Sequence, residues 1–435
     1  MFRVIAFASL IVLVACHRQA DAPGDAPTGL KVRDGDGQVT VSWDQQPGLT
    51  YWIFFQAGST VTAAATGVPL IFDAQSPRVI TGLTNSTQYA FVMNATNQDS
   101  KAGPSSSVVP GFARPAGASW DQGAALVGSA PQDLNGVAFG TVAVSGISTA
   151  RLVAVGNGGT LFASDYNYTS ENPNPPGVTS WTQAASTSLP AGFASDLTSV
   201  IYTGPQFVAL AADGSVLASA DSITWTSTSA TPPAPSITTH GARMNGLALG
   251  IVSGAAKYVA VGAAVGGAGS IFTSVDLVSW TQAMSNTPND LLSVAFLNGI
   301  FVATGANGTL LTSADAITWT PQISNTSNAL RSAAFGTGSA AAGASFVVVG
   351  NAGTILTSID GTTWNLTTLS SLQNLRGITF GSRFVAVGQG STVVYSDDAV
   401  NWVSAPSNTG DLAAITFAPA MYVAVGALGA NAVSK

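Results

Sequence analysis

The recurrent acidic residues are the first place to look for chemistry. Ser219…Asp221…Trp225, Ser274…Asp276…Trp280, Ser313…Asp315…Trp319, Ser358…Asp360…Trp364 and Ser396…Asp398…Trp402 share one spacing, Asp four and Ser six residues ahead of Trp. Paired carboxyls could cleave a glycosidic bond, and clustered ones could hold a cation. Strict repetition argues for another task. Asp and Ser side chains accept hydrogen bonds from backbone N–H groups of their own turn, and the Trp that follows anchors that turn by burying roughly 200 Å². This set is expected to be structural.

A second set is better placed for binding. Arg243, Arg331 and Arg376 fall within one residue of the start of a recurring apolar strand, and Asp133, Asp196, Asp290 and Asp411 within two. A ring of such strands brings these groups to one rim. Three guanidiniums suit a carboxylate or sulfate. The Asp group could take a cation, but it lacks the local spacing of a ligand loop. A solvated, salt-bridged rim is the plainer alternative. Other chemistries find little material. The histidines are His17 and His240 and the one glutamate is Glu171, so a zinc site or a Ser–His–Asp triad is not expected. Gly156–Gly159 and Gly262–Gly269 are Gly-rich but join two strands, so they are turns rather than phosphate loops. No metal and no cofactor are expected.

The elements behind these residues are repeats. Apolar starting strands recur at Leu134–Phe139, Leu197–Tyr202, Met244–Leu249, Leu292–Phe296, Leu330–Phe335, Leu375–Phe380 and Leu412–Phe417. A copy around Ser164 carries an insertion, Tyr166 to Thr179, before Trp181. The seventh unit stops at Lys435, short of its Asp and Trp, while Ala118-Ser-Trp120-Asp-Gln122 resembles Thr179-Ser-Trp181-Thr-Gln183. Of nine Trp, Trp43 and Trp52 lie upstream, which leaves one per unit. Units of about 40–60 residues with four short strands are propeller blades. Seven of them over 117–435, the last closed by an N-terminal strand, form a ring without exposed ends.

Composition agrees with an all-β chain. Of 435 residues 46% are hydrophobic and only 8% charged, with a net charge of −7. An acidic, charge-poor chain is not a nucleic-acid binder. Upstream, one positive charge (Arg3) precedes an apolar run from Val4 to Ala15, the anatomy of a signal peptide over 1–15. Leu13-Val14-Ala15-Cys16 resembles a bacterial lipobox, which implies a lipidated Cys16 at the head of a 16–26 tether and a membrane-anchored envelope protein. His17 beside it favours the outer membrane. Cys16 is the sole cysteine, so the chain forms no internal disulfide.

Residues 27–112 resemble a fibronectin type III β-sandwich. The carriers are Pro27, Leu30 and Val32, then Val39-Thr-Val-Ser-Trp43, and Leu83…Tyr89 as a tyrosine corner. Trp43 and Tyr89 are expected in its core, and the module is expected to space the propeller from the membrane.

The repeats resemble the Asp-box propellers of the bacterial neuraminidase-repeat type. That family includes sialidases and photosystem II assembly factors, and its box commonly reads Ser-x-Asp-x-Gly-x-Thr-Trp. Here the box is one residue shorter, and only Asp360-Gly361 keeps the Gly. Sialidase chemistry by resemblance needs three Arg, a Tyr nucleophile paired with Glu, and an Asp acid/base. No Tyr falls in the between-blade loops, and Glu171 belongs to the opposite face. The expected function is a monomeric, non-enzymatic binding or scaffolding module for a protein or glycan. Contact would run through between-blade loops such as 226–243 and 281–291. The alternative is a degenerate or atypical sialidase-like glycoside hydrolase.

Overall fold

The computed structural model describes residues 21–434 apart from 64, 86, 98–100, 114–115, 119, 128–131, 168–176, 179, 229–240, 338–342, 406 and 420. The leader, Cys16, His17, Glu171 and His240 lie outside the described residues. Two compact units result. One is built from residues up to 33, 40–78 and 87–111, the other from 112–435 with the short segments 34–39 and 79–86. Among the described residues no helix is long and apolar enough to cross a membrane.

Between residues 31 and 113 run β1 (Lys31–Gly35), β2 (Gln38–Ser42), β3 (Leu49–Ala57), β4 (Leu70–Ala74), β5 (Arg78–Thr81), β6 (Thr87–Asn97) and β7 (Val109–Ala113). Their order is β4-β3-β6-β7-β1-β2-β5, with β1 and β7 parallel. Trp43 is buried, as its alternating strand predicts. Tyr89 is only half-buried. Tyr51 is buried, and its hydroxyl accepts the Gln46 N–H at 3.0 Å. β6 is buried on both faces: Ala90 and Val92 are as buried as Phe91 and Met93. The reason is a second cluster on the far side of β3 and β6, where Phe54, Ala90 and Val92 meet Val61, Ala63 and Val68 of the β3–β4 connection.

The larger unit is a seven-bladed propeller; six blades are four-stranded antiparallel sheets, and the sheet of the first blade has six strands. The innermost strands are Leu134–Val144, Leu197–Tyr202, Met244–Val252, Leu291–Leu297, Leu330–Thr337, Leu375–Phe380 and Leu412–Ala418, which define blades 1 to 7. Each packs on the next, and blade 7 packs on blade 1, so the ring is closed. The outermost strand of blade 7 comes from the other end of the module: Asp121–Gln122 pairs antiparallel with Asn431–Ser434, Gln122 opposite Ala432 and Asp121 opposite Val433. Beside it, the Gly117 N–H donates to Ser434 Oγ at 2.7 Å. Burial of apolar surface then continues across the joint, with Trp120 packed against the blade 6–blade 7 core of Val385, Val387 and Tyr422.

Each Trp sits in the groove facing the preceding blade. Trp225 packs among residues of blades 1 and 2, Trp280 of 2 and 3, Trp319 of 3 and 4, Trp364 of 4 and 5 and Trp402 of 5 and 6, while Trp181 joins blades 7 and 1. The Ser-x-Asp turns behave alike. Asp315 Oδ1 accepts from Ser313 Oγ (3.0 Å) and from the N–H groups of Ile317 (2.8 Å) and Thr318 (2.7 Å). Asp221, Asp276, Asp360 and Asp398 each make the same three contacts in their own turns. These donated hydrogen bonds hold Asp315 and Asp398 down at about 2, against an ordinary 3.8. The residue after the Asp has φ near +65°: Ser222, Leu277, Ala316, Gly361 and Ala399. Its carbonyl accepts the indole N–H in four of these turns, at 3.2–3.3 Å.

Candidate functional site

All seven innermost strands carry a β-bulge at their second residue. A bulge re-aims the side chain it carries. The bulged residues are Asn135, Thr198, Asn245, Leu292, Arg331, Arg376 and Ala413, and of the polar and charged members all but Thr198 reach toward a neighbouring blade or turn. Below them comes a layer of small residues: Gly136, Ser199, Gly246, Ser293, Ser332, Gly377 and Ala414. Neighbouring backbones leave no room for more, since a Cβ on Gly246 would lie 3.1 Å from the Cα of Ser293. These layers line a central channel of about 520 Å³, with Arg243, Arg331 and Arg376 at its polar end.

The three arginines differ. Arg243 Nη1 lies 3.6 Å from Asp196 Oδ2, and Arg376 Nη2 lies 3.5 Å from Asp411 Oδ2. Arg331 makes one hydrogen bond, from Nε to Asn351 Oδ1 at 2.6 Å. Among the described residues it has no ion pair, and its two terminal nitrogens have no protein partner. Burial, and then the like charge of Arg376, push the Arg331 guanidinium below its ordinary value. Arg331 and Arg376 stand on adjacent blades 5 and 6. Arg243, on blade 3, is turned toward blade 2 by its acidic partner. The sequence places all three on one rim, and all three line the channel, Arg243 and Arg376 each paired with an aspartate.

The four aspartates occupy one equivalent position, directly before the innermost strand, and do not line the channel. Each reaches back to the turn between the second and third strands of the preceding blade. Asp133 accepts the Leu428 N–H (2.9 Å), Asp196 that of Gly158 (2.9 Å), Asp290 that of Ala264 (2.7 Å) and Asp411 that of Gly390 (2.8 Å). In blade 6, Asn374 does the same for Ala352 at 2.9 Å. The main-chain oxygen of this position holds the turn of its own blade: Asp133, Asp196, Arg243, Asp290, Ala329, Asn374 and Asp411 each accept one N–H there. One residue thus ties two blades, its carbonyl inward and its carboxylate backward. Charge-assisted bonds of this kind are stronger than neutral ones. Spacing alone could not separate this latch from a cation site. Among the described residues no group of three or more His, Cys, Asp or Glu is placed to hold a metal ion.

Sequence reasoning missed one segment beside the ring. Leu126–Val127 adds a fifth strand to blade 1, parallel to Trp181–Gln183, with the Trp181 N–H donated to Ala125 O at 3.2 Å. Ala125-Leu-Val127 between two loops was a weak signal, too short for any periodicity.

No family model matches the sequence, and no curated protein matches it. Among solved structures, the chain is similar to "YCF48 bound to D1 peptide", at 15% identity and a TM-score of 0.49 over 72% of this chain and 96% of that one. It is similar to YCF48 from Cyanidioschyzon merolae at 16% identity and a TM-score of 0.49, over 73% and 98%. The WD40 β-propeller domain of Doa1 follows at 12% identity and 0.48, over 72% and 96%.

Proposed function

We propose that this chain is a non-enzymatic binding and scaffolding module of a bacterial cell envelope. It is anchored by lipid on Cys16, with a fibronectin type III-like sandwich spacing an Asp-box-type propeller from the membrane. The strand order β4-β3-β6-β7-β1-β2-β5 supports the sandwich, since it groups β1, β2 and β5 at one end and β3, β4, β6 and β7 at the other, the division a fibronectin type III sandwich makes between its two sheets. The observation that carries the binding reading is Arg331, half-buried at the channel mouth beside Arg376, its terminal nitrogens without a protein partner among the described residues. An unpaired, partly desolvated guanidinium favours an anionic group of a partner, a protein or glycan carboxylate or sulfate. The rim aspartates support the absence of catalysis, because each is already committed to a main-chain N–H.

The test is binding with turnover measured alongside. Glycan arrays and envelope-protein pull-downs with the purified chain should yield a ligand whose affinity falls about tenfold or more in Arg331→Ala. Arg243→Ala should change it little. Hydrolysis of chromogenic glycosides would instead establish the glycosidase alternative. Cys16→Ser should release the protein from membranes, and continued membrane association would overturn the lipid assignment.

A further inference from the structure

The outer edge of the ring holds a site independent of the channel. In blade 1 the chain itself lays Leu126–Val127 along the outermost strand, in parallel. Leu126 packs into the groove between blades 7 and 1, against the cluster that contains Trp181. Blade 2 has its equivalent Trp225 N–H taken by Ser188 O at 2.8 Å. These edges are used by the chain.

Blade 5 offers the same edge uncovered. Its outermost strand, Asn365–Thr368, is the longest of the seven, and all four residues are exposed. Leu369 N–H donates inward to Gly353 O, so alternation turns the N–H groups of Trp364, Leu366 and Thr368 outward. None of the three has a partner among the described residues. The loop ahead of blade 5 does not cover them: Gln322 turns back onto blade 4, its N–H on Leu310 O and its side chain on Thr312. Between blades 4 and 5 an open groove of about 390 Å³ is lined by Ile300, Thr312, Thr320, Gln322, Asp360 and Thr362. Blades 4 and 6 are poorer acceptors. Blade 4 has Pro321, without an N–H, at the outward position, and the blade 6 strand is only Val403–Ser404.

We propose that the outer edge of blade 5 accepts an extended, aliphatic segment of a partner protein as a fifth strand, in the parallel sense in which blade 1 accepts Leu126–Val127. Main-chain bonds to the outward edge supply affinity, and one aliphatic side chain entering the groove supplies selectivity.

The probe is the chain's own edge-filling sequence, the blocked peptide Gly-Ala-Ala-Leu-Val-Gly of residues 123–128, added to the intact protein. Hydrogen exchange should slow at Trp364 and Leu366, whose N–H groups face the carbonyls of the second alanine and the valine in the register of blade 1. The parallel register makes the valine N–H a donor to the edge, so a peptide N-methylated at valine should give no protection. Leu366→Pro should weaken binding about tenfold, while Leu366→Ala, which keeps the N–H, should weaken it less. Absence of protection at blade 5, protection confined to another blade, or equal binding of the N-methylated peptide would overturn the proposal. So would protection that rises with protein concentration in the absence of peptide, because a second copy of the chain would then be the occupant.

Discussion

Replacing Asp315 by Asn keeps an acceptor oxygen in the Ser-x-Asp turn of blade 4 and removes only the titrating charge. In the fold that carboxyl sits at about 2 rather than 3.8, because the Thr318 and Ile317 N–H groups and the Ser313 hydroxyl all donate to it. A drop of that size corresponds to roughly 2.5 kcal/mol in favour of the ionised, folded form. The turn is partly exposed, so solvent screening reduces this to about 1 kcal/mol. A group whose value is lowered on folding contributes fully above its unfolded value, and the contribution disappears as pH falls through the folded one. Asp315→Asn should therefore lower stability by about 1 kcal/mol at pH 7, and the gap should narrow steadily below pH 3.8 until it closes near pH 2. Urea denaturation of both proteins at matched pH, from 7 down to 2.5, reads the gap directly. A gap independent of pH, or no gap at pH 7, would refute the reasoning.

Three further outcomes follow from packing and backbone geometry. Trp319→Ala should cost about 3–5 kcal/mol, with hydrogen exchange rising in blades 3 and 4 together, because Trp319 packs among Val259, Val261 and Ile271 as well as its own blade. Leu428→Gly should stabilise by about 1 kcal/mol in thermal melts, since Leu428 is 76% exposed and held at φ +52°. Gly336→Ala should destabilise by about 1–3 kcal/mol, because a Cβ there would fall 2.1 Å from the Phe380 ring of blade 6.

The repeat was the legible part, because one constraint imposes it seven times. Every Trp must fill a groove and every Ser-x-Asp must cap its turn, so the spacing survives in the sequence and fixes blade number and the position of the joint. The rim was half legible. Arg243, Arg331 and Arg376 could be placed at the channel, but nothing in their spacing shows that Asp196 and Asp411 pair with Arg243 and Arg376 and not with Arg331. Asp133, Asp196, Asp290 and Asp411 were located without their role, since their partners are backbone N–H groups of the preceding blade and leave no residue signature. Gly140, Gly250 and Gly336 lie in the innermost strands of blades 1, 3 and 5. They are small because the aromatic rings of Tyr202, Phe296 and Phe380 from neighbouring blades lie against them. In the first unit, β6 is buried on both faces because the β3–β4 connection covers its outer one, and nothing in the sequence of that connection announces it.

The closed ring is tested most directly across its joint. Gln122 and Ala432 are paired on adjacent strands although 310 positions apart. In a double variant, Gln122→Cys with Ala432→Cys, mild oxidation should give an intramolecular crosslink in nearly every molecule, seen as a faster-migrating monomer on non-reducing gels. Failure to crosslink, or crosslinks that form only between chains, would contradict a ring stitched from its own two ends.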